Sequence, residues 1–547
     1  MRVARQAAQS LRAFGESFAN PQLRALQLAG IGSMLGTWAY GVGIAVFAFH
    51  AGGAKAVGLL FFVRWGLAGV AAPWIALAVD RRSRKRVMVA CDLVRFAFMA
   101  GMAAIAFADG PAVAVFALAV LTSIASAAFQ PAQGAILPSL VRTPEELTAA
   151  NVVMNSVGSV GMFVGPAFGG LVLAVSGPAS VFCVTAATFL WSALCLTRIR
   201  TDRAPAQAED EGGHALLAGF RAIWGEPGLR IVVGLTAAQT LVAGAAEVLL
   251  VVVALDLLDA GNAGVGWLNA AFGVGCLLGV PAVATLAGRK RLAGDFGLGV
   301  LLWGLPLALV PLWPNLGFVV LLFAVSGIGN TLVDVAGLTL MQRTASDAVL
   351  GRVFGVLESL VLLTLAFGSL VTPAVIAALG AKAALVAAGL LLPLLLVPSW
   401  PRLRAVDASS SVPAEALEVL QQIPFFAVLP PPVLERLARI AEPSTVPAGA
   451  VVFSQGDAGD RFYAIASGRA VVEIDGAASS TLGPGEFFGE IALLRDVPRT
   501  ATVRAADELR LYAIERDDFI AAVTGHAPSL EAADSVVTSR LPAPAAL

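Results

Sequence analysis

The chain has 547 residues, of which 58% are hydrophobic and only 13% are charged, and its formal net charge is −1. Soluble chains are about half apolar and about a quarter charged, so the charge deficit indicates a membrane protein. No dense Lys/Arg tract points to a nucleic-acid partner. The 4 cysteines and 3 histidines have no metal-ligand spacing, so neither a disulfide framework nor a metal site is expected.

The amino-terminal part reads as a short arm followed by many apolar segments. Residues 1–22 carry several arginines but no apolar signal core, and we expect a cytoplasmic arm there rather than a cleaved signal. About twelve segments of roughly 20 apolar residues follow, each long enough to cross a bilayer. They form two sets of six, at 23–200 and 229–400, separated by a cytoplasmic loop at 201–228. Two such halves are a recurring transporter plan, with the substrate between them.

Basic residues in the connections between these segments predict the orientation. Clusters such as Arg81–Arg86 and Arg289–Arg291 fall in alternate connections, whereas the other connections are poor in lysine and arginine. The positive-inside rule makes the basic set cytoplasmic. We therefore expect a multi-pass protein of the inner (plasma) membrane with both termini in the cytoplasm.

The connection after the second span has the sequence LAVDRRSRKRVMV, which places Asp80 beside Arg81 and adds Arg84 among further basic residues. This segment resembles the DRxGRR-type loop of the major facilitator superfamily, although Ala76 and Ser83 replace the expected glycines. In that family the aspartate and arginines latch the helix ends in one access state. The alternative is a plain positive-inside loop.

A second motif lies in the fifth span, where GSVGMFVGPAFGG contains Gly165, Pro166, Gly169 and Gly170. It resembles the GPxxGG antiporter motif of drug-efflux members of the same superfamily. Small residues allow helices to approach closely, and a proline removes one backbone hydrogen bond and kinks the helix. The motif predicts a packing and gating element rather than a ligand contact.

Four charged residues fall inside predicted spans: Arg64, Glu247, Asp334 and Glu358. A charge near the bilayer centre costs about 2.5–3.5 kcal/mol on lenient scales, so each is expected to face a wet cavity or a partner. Glu247 and Asp334 are candidates for proton coupling, because burial raises the pKa of a carboxyl group toward neutrality. A structural salt bridge is the alternative for all three carboxylates, and Glu358 lies closest to the cytoplasmic loops.

The carboxyl-terminal part has the composition of a soluble domain. Residues 401–412 contain Pro401 and three serines and read as a linker. From 413 to 547, short helical patterns precede alternating strand-like runs with glycine turns. Many short strands of this kind predict a small β-roll or jelly roll with flanking helices.

Within this tail, FGEIALL and PRTATVRA resemble the phosphate-binding cassette of cyclic nucleotide-binding domains. The resemblance implies that Glu490 accepts a hydrogen bond from the ribose 2′-OH and that Arg499 binds the cyclic phosphate, for which a guanidinium fork is suited. Val472 and Val503 are expected to wall the base. Cyclic AMP is the favoured regulatory ligand, with cyclic GMP left open by a hydroxyl beside the arginine. The remaining predicted contacts are Phe488, Gly489, Ile491, Ala492, Thr500 and Ala501.

The chain is therefore predicted to be multi-domain, with an all-α polytopic membrane domain of the major facilitator fold and a β-roll tail. The leading hypothesis is a proton-coupled efflux antiporter of small molecules, regulated by cyclic nucleotide. One alternative is a transport-inactive, membrane-anchored receptor or scaffold. Another is an exporter whose cargo is the nucleotide itself. The sequence has no GxxxxGK, HExxH or GxSxG motif, so we expect neither an enzyme nor a catalytic cofactor.

Overall fold

The structure, a computed structural model, describes residues 18–80, 82–141, 144–200, 212–286, 292–344, 347–409 and 413–540. The chain divides into two compact units, Met1–Asp407 and Ala408–Leu547. The last helix of the first unit runs from Ala381 to Ser409, so helix replaces most of the linker predicted at 401–412. The division between the two units falls within the segment 401–412, and Pro401, one of the signals for a linker there, lies inside the helix without ending it.

The first unit is helical throughout its described residues. Its helices are α1 (Pro21–Asp80), α2 (Arg84–Phe107), α3 (Ala112–Ser126), α4 (Phe129–Leu140), α5 (Pro144–Thr197), α6 (Gly212–Gly225), α7 (Pro227–Val252), α8 (Gly261–Leu286), α9 (Leu292–Leu309), α10 (Leu316–Thr344), α11 (Asp347–Leu379) and α12 (Ala381–Ser409). A single π-helical turn, Val253–Leu257, extends α7, and a 3₁₀ turn, Val310–Leu312, extends α9.

Among the described residues, 10 helices are long and apolar enough to cross a membrane. Two of them are each interrupted by non-helical glycines: α1, with 60 residues, at Gly52 and Gly53, and α5, with 54 residues, at Gly177. Each is long enough to supply two spans, because a bilayer core needs only about 20 helical residues. The presence of twelve membrane spans stays a prediction.

Close glycine contacts join the amino-terminal helices to the carboxyl-terminal ones. A Cβ added to Gly170 on α5 would lie 2.5 Å from the Cα of Gly266 on α8. Likewise, a Cβ on Gly58 of α1 would lie 2.5 Å from the backbone oxygen of Ser369 on α11. Such small residues permit the backbone contact that drives helix association in lipid.

The connection predicted at 201–228 contains a helix, α6, over Gly212–Gly225. Only Glu226 separates α6 from α7, which begins with Pro227 in the first helical position. Proline is favoured there because its missing N–H is not needed for an intrahelical bond.

The second unit begins with three short helices, α13 (Ala414–Gln421), α14 (Pro424–Ala427) and α15 (Pro431–Ile440). The strands are β1 (Glu442–Val446), β2 (Val451–Phe453), β3 (Arg461–Ser467), β4 (Ala470–Ile474), β5 (Ala477–Leu482), β6 (Phe487–Phe488), β7 (Thr502–Ala505) and β8 (Leu509–Glu515). Helix α16 (Glu490–Arg495) follows β6, and α17 (Arg516–Thr524) and α18 (Ala527–Arg540) follow β8.

The strands form two antiparallel four-stranded sheets, in the orders β1-β8-β3-β6 and β2-β7-β4-β5. The β4–β5 hairpin turns at Asp475 and Gly476, both with positive φ, as a two-residue Asp-Gly turn requires. Buried aromatic rings, including Phe425, Phe462 and Phe519, pack the helices onto the first sheet. The predicted antiparallel β domain with flanking helices is confirmed.

Candidate functional site

A cavity of about 300 Å³ lies in the second unit, between α16, the β4–β5 hairpin and the end of α18. All ten tail residues singled out from the sequence line it: Val472, Phe488, Gly489, Glu490, Ile491, Ala492, Arg499, Thr500, Ala501 and Val503. Six further residues that sequence reasoning missed complete the lining: Phe453, Ile474, Ser479, Ser480, Leu482 and Arg540.

Arg499 is the more deeply buried of the two arginines that line this cavity, and it is only 2% exposed. Its Nη2 donates to Asp460 Oδ1 at 3.0 Å and to the Arg461 carbonyl at 2.8 Å. The guanidinium lies 4.1 Å from the centroid of the Phe453 ring. Its buried Nε has no hydrogen-bond partner. An unpaired buried donor is costly, so the site is suited to an acceptor such as a phosphate oxygen.

Gly489 is required by the approach of this guanidinium. Its φ is +90°, and an added Cβ would lie 2.6 Å from Arg499 Nη1. The Gly489 carbonyl accepts a hydrogen bond from the same nitrogen at 3.1 Å. A side chain here would both strain the backbone and displace the arginine. The glycine of the FGEIALL motif therefore positions the cation.

Glu490 is the anion of the cavity and is 1% exposed. Arg540, the last described residue, donates from Nη1 to Glu490 Oε1 at 2.8 Å and to the Phe487 carbonyl at 2.9 Å. Burial raises the pKa of Glu490, and the Arg540 guanidinium opposes that effect. The carboxylate is thus held next to the cavity by a residue from α18.

The rest of the cavity wall is mostly apolar and built by strands. Val472 on β4 stands opposite Val503 on β7 and Ser480 on β5. Together with Ile474 and Leu482 these residues surround a space beside the charged groups. The arrangement suits a compact anion that carries a hydroxyl and a flat apolar ring.

The final helix is tied to α16 by a second ion pair. Arg495 Nη2 lies 3.3 Å from Asp534 Oδ1, and both side chains are about half exposed. Ser529 Oγ, also on α18, donates to the Phe425 carbonyl at 2.7 Å. These contacts fix α18 against the cavity at one end and against α14 at the other.

In the membrane unit, a cavity of about 410 Å³ lies between the helices α1 and α5 on one side and α7 to α10 on the other. Arg64 and Glu247, two of the predicted intramembrane charges, line it. Trp65 Nε1 donates to Glu247 Oε2 at 3.0 Å, and Arg64 Nε donates to Ser123 Oγ at 2.9 Å. Six aromatic residues form much of the wall: Trp38, Phe61, Trp65, Phe272, Trp303 and Phe323.

Asp334 and Glu358 do not line this cavity. Asp334 is exposed and accepts a hydrogen bond at 2.8 Å from Asn330, which does line it. Asn330 also accepts from Trp303 Nε1 at 3.1 Å. Glu358 is exposed on α11. The structure therefore brings together Arg64 and Glu247, connects Asp334 indirectly, and leaves Glu358 apart.

The gating motifs are described in part. The Asp80 side chain and Arg81 lie outside the described residues, whereas Arg84 Nη1 donates to the Ala135 carbonyl on α4 at 2.8 Å. In the other motif, a Cβ on Gly165 would lie 2.4 Å from Trp38 Cβ, and one on Gly169 would lie 2.8 Å from Ala39 Cα. Pro166 lines the central cavity, so the motif is not restricted to packing, contrary to expectation.

Sequence reasoning missed a buried ion pair on α2. Asp92 and Arg95 are 0% and 2% exposed and form a salt bridge at i,i+3. The Arg95 guanidinium lies 4.6 Å from the Phe129 ring centroid and 4.4 Å from that of Phe189. Arg95 lines a second cavity of about 410 Å³ in the amino-terminal helices. The cost of intramembrane charge, applied to residues 87–108, would have found this pair.

These features define a multi-pass membrane transporter that carries a cyclic nucleotide-binding domain. The chain belongs to the Major Facilitator Superfamily, whose model matches residues 26–290. The multidrug efflux pump Tap of Mycolicibacterium fortuitum is 30% identical over 346 residues, which cover 61% of this chain and 84% of the pump. The predicted fusion is confirmed, because the model of the cyclic nucleotide-binding domain matches residues 443–526.

Relatives of the tail come from other kinds of protein. The cyclic nucleotide-gated potassium channel mll3241 of Mesorhizobium japonicum is 39% identical over 102 residues, 19% of this chain and 28% of the channel. The regulatory subunit of cAMP-dependent protein kinase of Yarrowia lipolytica is 37% identical, over 18% of this chain and 27% of the subunit. This chain thus spans less than a third of either. The regulatory domain of Toxoplasma gondii PKA with cAMP is 30% identical, covering 20% of this chain and 43% of that one, with a TM-score of 0.20.

Proposed function

We propose that this protein is a proton-coupled efflux antiporter of small molecules, whose activity is regulated by cyclic AMP, or alternatively cyclic GMP, bound to its tail. The observation that carries the proposal is the pairing of two cavities on one chain. One lies among the membrane helices, and the other holds a buried arginine and a buried glutamate beside an apolar wall.

The central membrane cavity supports the transport part. Its volume of about 410 Å³ falls in the range of small-molecule sites, and six aromatic residues contribute to its wall. Glu247 is the single carboxylate among its lining residues, and we assign it the coupling role. Export as the direction follows the name of the pump that is similar over most of its length.

The tail cavity supports the ligand. We assign the cyclic phosphate to Arg499, whose Nε is buried and unpaired, and the ribose 2′-OH to Glu490. The base then occupies the apolar side formed by Val472 and Val503. Cyclic AMP is the preferred ligand because the kinase relatives of this tail are named for it. Cyclic GMP is the alternative ligand because Thr500 offers a hydroxyl beside Arg499, and both nucleotides are therefore tested.

The proposed topology places the ligand site where cyclic nucleotides are made. We place the protein in the inner (plasma) membrane, with twelve spans in two sets of six at 23–200 and 229–400. This even number of spans puts both termini in the cytoplasm. The domain at 413–547 then samples the cytoplasmic nucleotide. For regulation, the nucleotide must bind one access state better than another, since equal affinity shifts no population.

The test is flux of ethidium, as a general efflux probe, into inverted proteoliposomes with an imposed pH gradient. Glu247→Gln is expected to abolish gradient-driven flux, whereas Glu358→Gln, an exposed carboxylate outside the cavity, serves as the matched control. Cyclic AMP is expected to change the flux of the native protein but not of Arg499→Lys. Flux that persists in Glu247→Gln contradicts the coupling role, and flux indifferent to both nucleotides contradicts the regulation.

A further inference from the structure

Helix α6, in the segment between the two sets of spans, has a face that the proposed transport and nucleotide sites do not use. Phe220 is 49% exposed and Trp224 is 71% exposed. They are four residues apart, so they lie on the same side of the helix. Large apolar side chains this exposed mark an interaction surface when they lie together.

A second pair on the same helix, Gly219 and Ile223, is packed against the membrane unit instead of being exposed. Ile223 is 5% exposed and belongs to the core of the membrane unit. A Cβ on Gly219 would lie 2.5 Å from the backbone oxygen of Arg352 on α11. Gly219 and Ile223 therefore fix α6 against the end of α11, and this contact determines which way the aromatic face points.

The position of α6 along the chain identifies what that face meets. Only Glu226 separates α6 from α7, and α7 lies in a stretch, Pro227–Leu257, that is long and apolar enough to cross a membrane. Because a span begins at the bilayer surface, the carboxyl-terminal end of α6 is held at that surface by covalent continuity. Trp224 lies two residues before Glu226, which connects the two helices.

The order of side chains around the helix matches an interfacial orientation. Each residue turns the helix by about 100°, so the packed pair, the aromatic pair and the exposed Arg221 follow one another around it. Helices that lie in the plane of a membrane present aromatic residues to the acyl boundary and basic residues to the headgroups. Tryptophan in particular is enriched at this depth.

We propose that the face of α6 formed by Phe220 and Trp224 inserts into the bilayer interface, with phospholipid as its partner. Arg221 then lies at headgroup level, where anionic lipid attracts it. The lipid contact is transmitted to α11 through Gly219, so that α6 anchors the end of a spanning helix to the surface of the membrane.

The test uses the full chain in vesicles of phosphatidylcholine and phosphatidylglycerol. Trp224 is replaced by p-benzoylphenylalanine, an aromatic photocrosslinker of similar bulk, and the adducts are identified by mass spectrometry after illumination. Position 394 is the positive control, because Leu394 on the last span is 67% exposed. Position 515 is the control in the tail, where the Glu515 side chain is 67% exposed.

We expect phospholipid adducts at position 224 in a yield within several-fold of that at 394 and far above that at 515. The same probe at position 220 answers the question if the variant at 224 does not fold. Lipid adducts no more abundant than at 515 overturn the proposal. Adducts to peptides from residues 408–547 in place of lipid also overturn it, because the tail is then the occupant of this face.

Discussion

Removing the charge of Arg540 measures how firmly α18 is tied to the nucleotide cavity. The Arg540 side chain is 29% exposed, and that of its partner Glu490 is 2% exposed. Breaking a fully buried pair costs about 3–5 kcal/mol, whereas a surface pair contributes about 0–1 kcal/mol. For this pair, which is buried on the Glu490 side and partly exposed on the Arg540 side, we expect a loss of about 1–3 kcal/mol of folding stability. The loss of cyclic AMP affinity is bounded by the same range, which corresponds to at most about 150-fold.

The perturbation is Arg540→Met, which keeps an apolar stem beside Phe487 but removes both hydrogen bonds. Without the guanidinium, the pKa of Glu490 rises further, and a protonated Glu490 no longer offers the same acceptor to a ribose hydroxyl. Cyclic AMP affinity, measured by calorimetry on the full-length protein in micelles at neutral pH, is therefore expected to fall. Glu490→Gln is expected to lower it as well.

The double variant decides the mechanism. If the two side chains act as a pair, Arg540→Met combined with Glu490→Gln costs little more than the worse single change. Arg510→Met is the matched control, since Arg510 pairs with Glu415 at 3.2 Å with both side chains about half exposed. Additive losses from Arg540 and Glu490, or an equal loss from Arg510→Met, refute the reasoning.

Three further outcomes are expected. Arg499→Lys keeps the charge but loses the forked guanidinium. A hydrogen bond to a charged group contributes about 1.5–3 kcal/mol, so cyclic AMP affinity measured by calorimetry should fall at least tenfold. The control Arg510→Lys should leave that affinity unchanged. Because burial raises the pKa of Glu490, its protonation sets in at a higher pH than that of an ordinary glutamate; affinity should fall as the pH drops from 7 toward 5, and a pH-independent affinity, or an identical fall in Glu490→Gln, counts against this. Gly170→Ala, whose Cβ meets backbone at 2.5 Å, should lower the melting temperature in micelles, whereas Gly234→Ala, with nothing within 4 Å, should not.

The residues of the tail cavity could be predicted where they lie close together in the sequence. FGEIALL and PRTATVRA form one continuous path from β6 through α16 to β7, so the residues that the motif names arrive at one cavity together. Arg540 was not predictable, because it reaches the cavity from the end of α18 and no spacing connects it with Glu490. Asp460, the partner of Arg499, escaped notice for the same reason.

In the membrane unit, hydropathy located the apolar stretches but not their faces. Glu247 and Glu358 are both single carboxylates in apolar runs, and the sequence separates them only by the position of Glu358 closer to the cytoplasmic loops. Helix packing gives the difference in surroundings, with Glu247 lining the central cavity and Glu358 exposed on α11. The sequence analysis did not place a helix in the connection at 201–228, where Gly219 and Ile223 of α6 pack at helical spacing.

Within the second unit, helix α18 links the cavity to the helices that precede the sheets. Helix α18 touches the cavity through Arg540 and touches α14 through Ser529, which is 0% exposed. The sheets are held by backbone ladders, whereas α18 is held by side-chain contacts, which include the buried Ala533. A ligand that hydrogen-bonds to Glu490 shares this carboxylate with Arg540 and so changes one of those contacts directly. Such a ligand shifts α18 only if it binds one position of the helix more tightly than another.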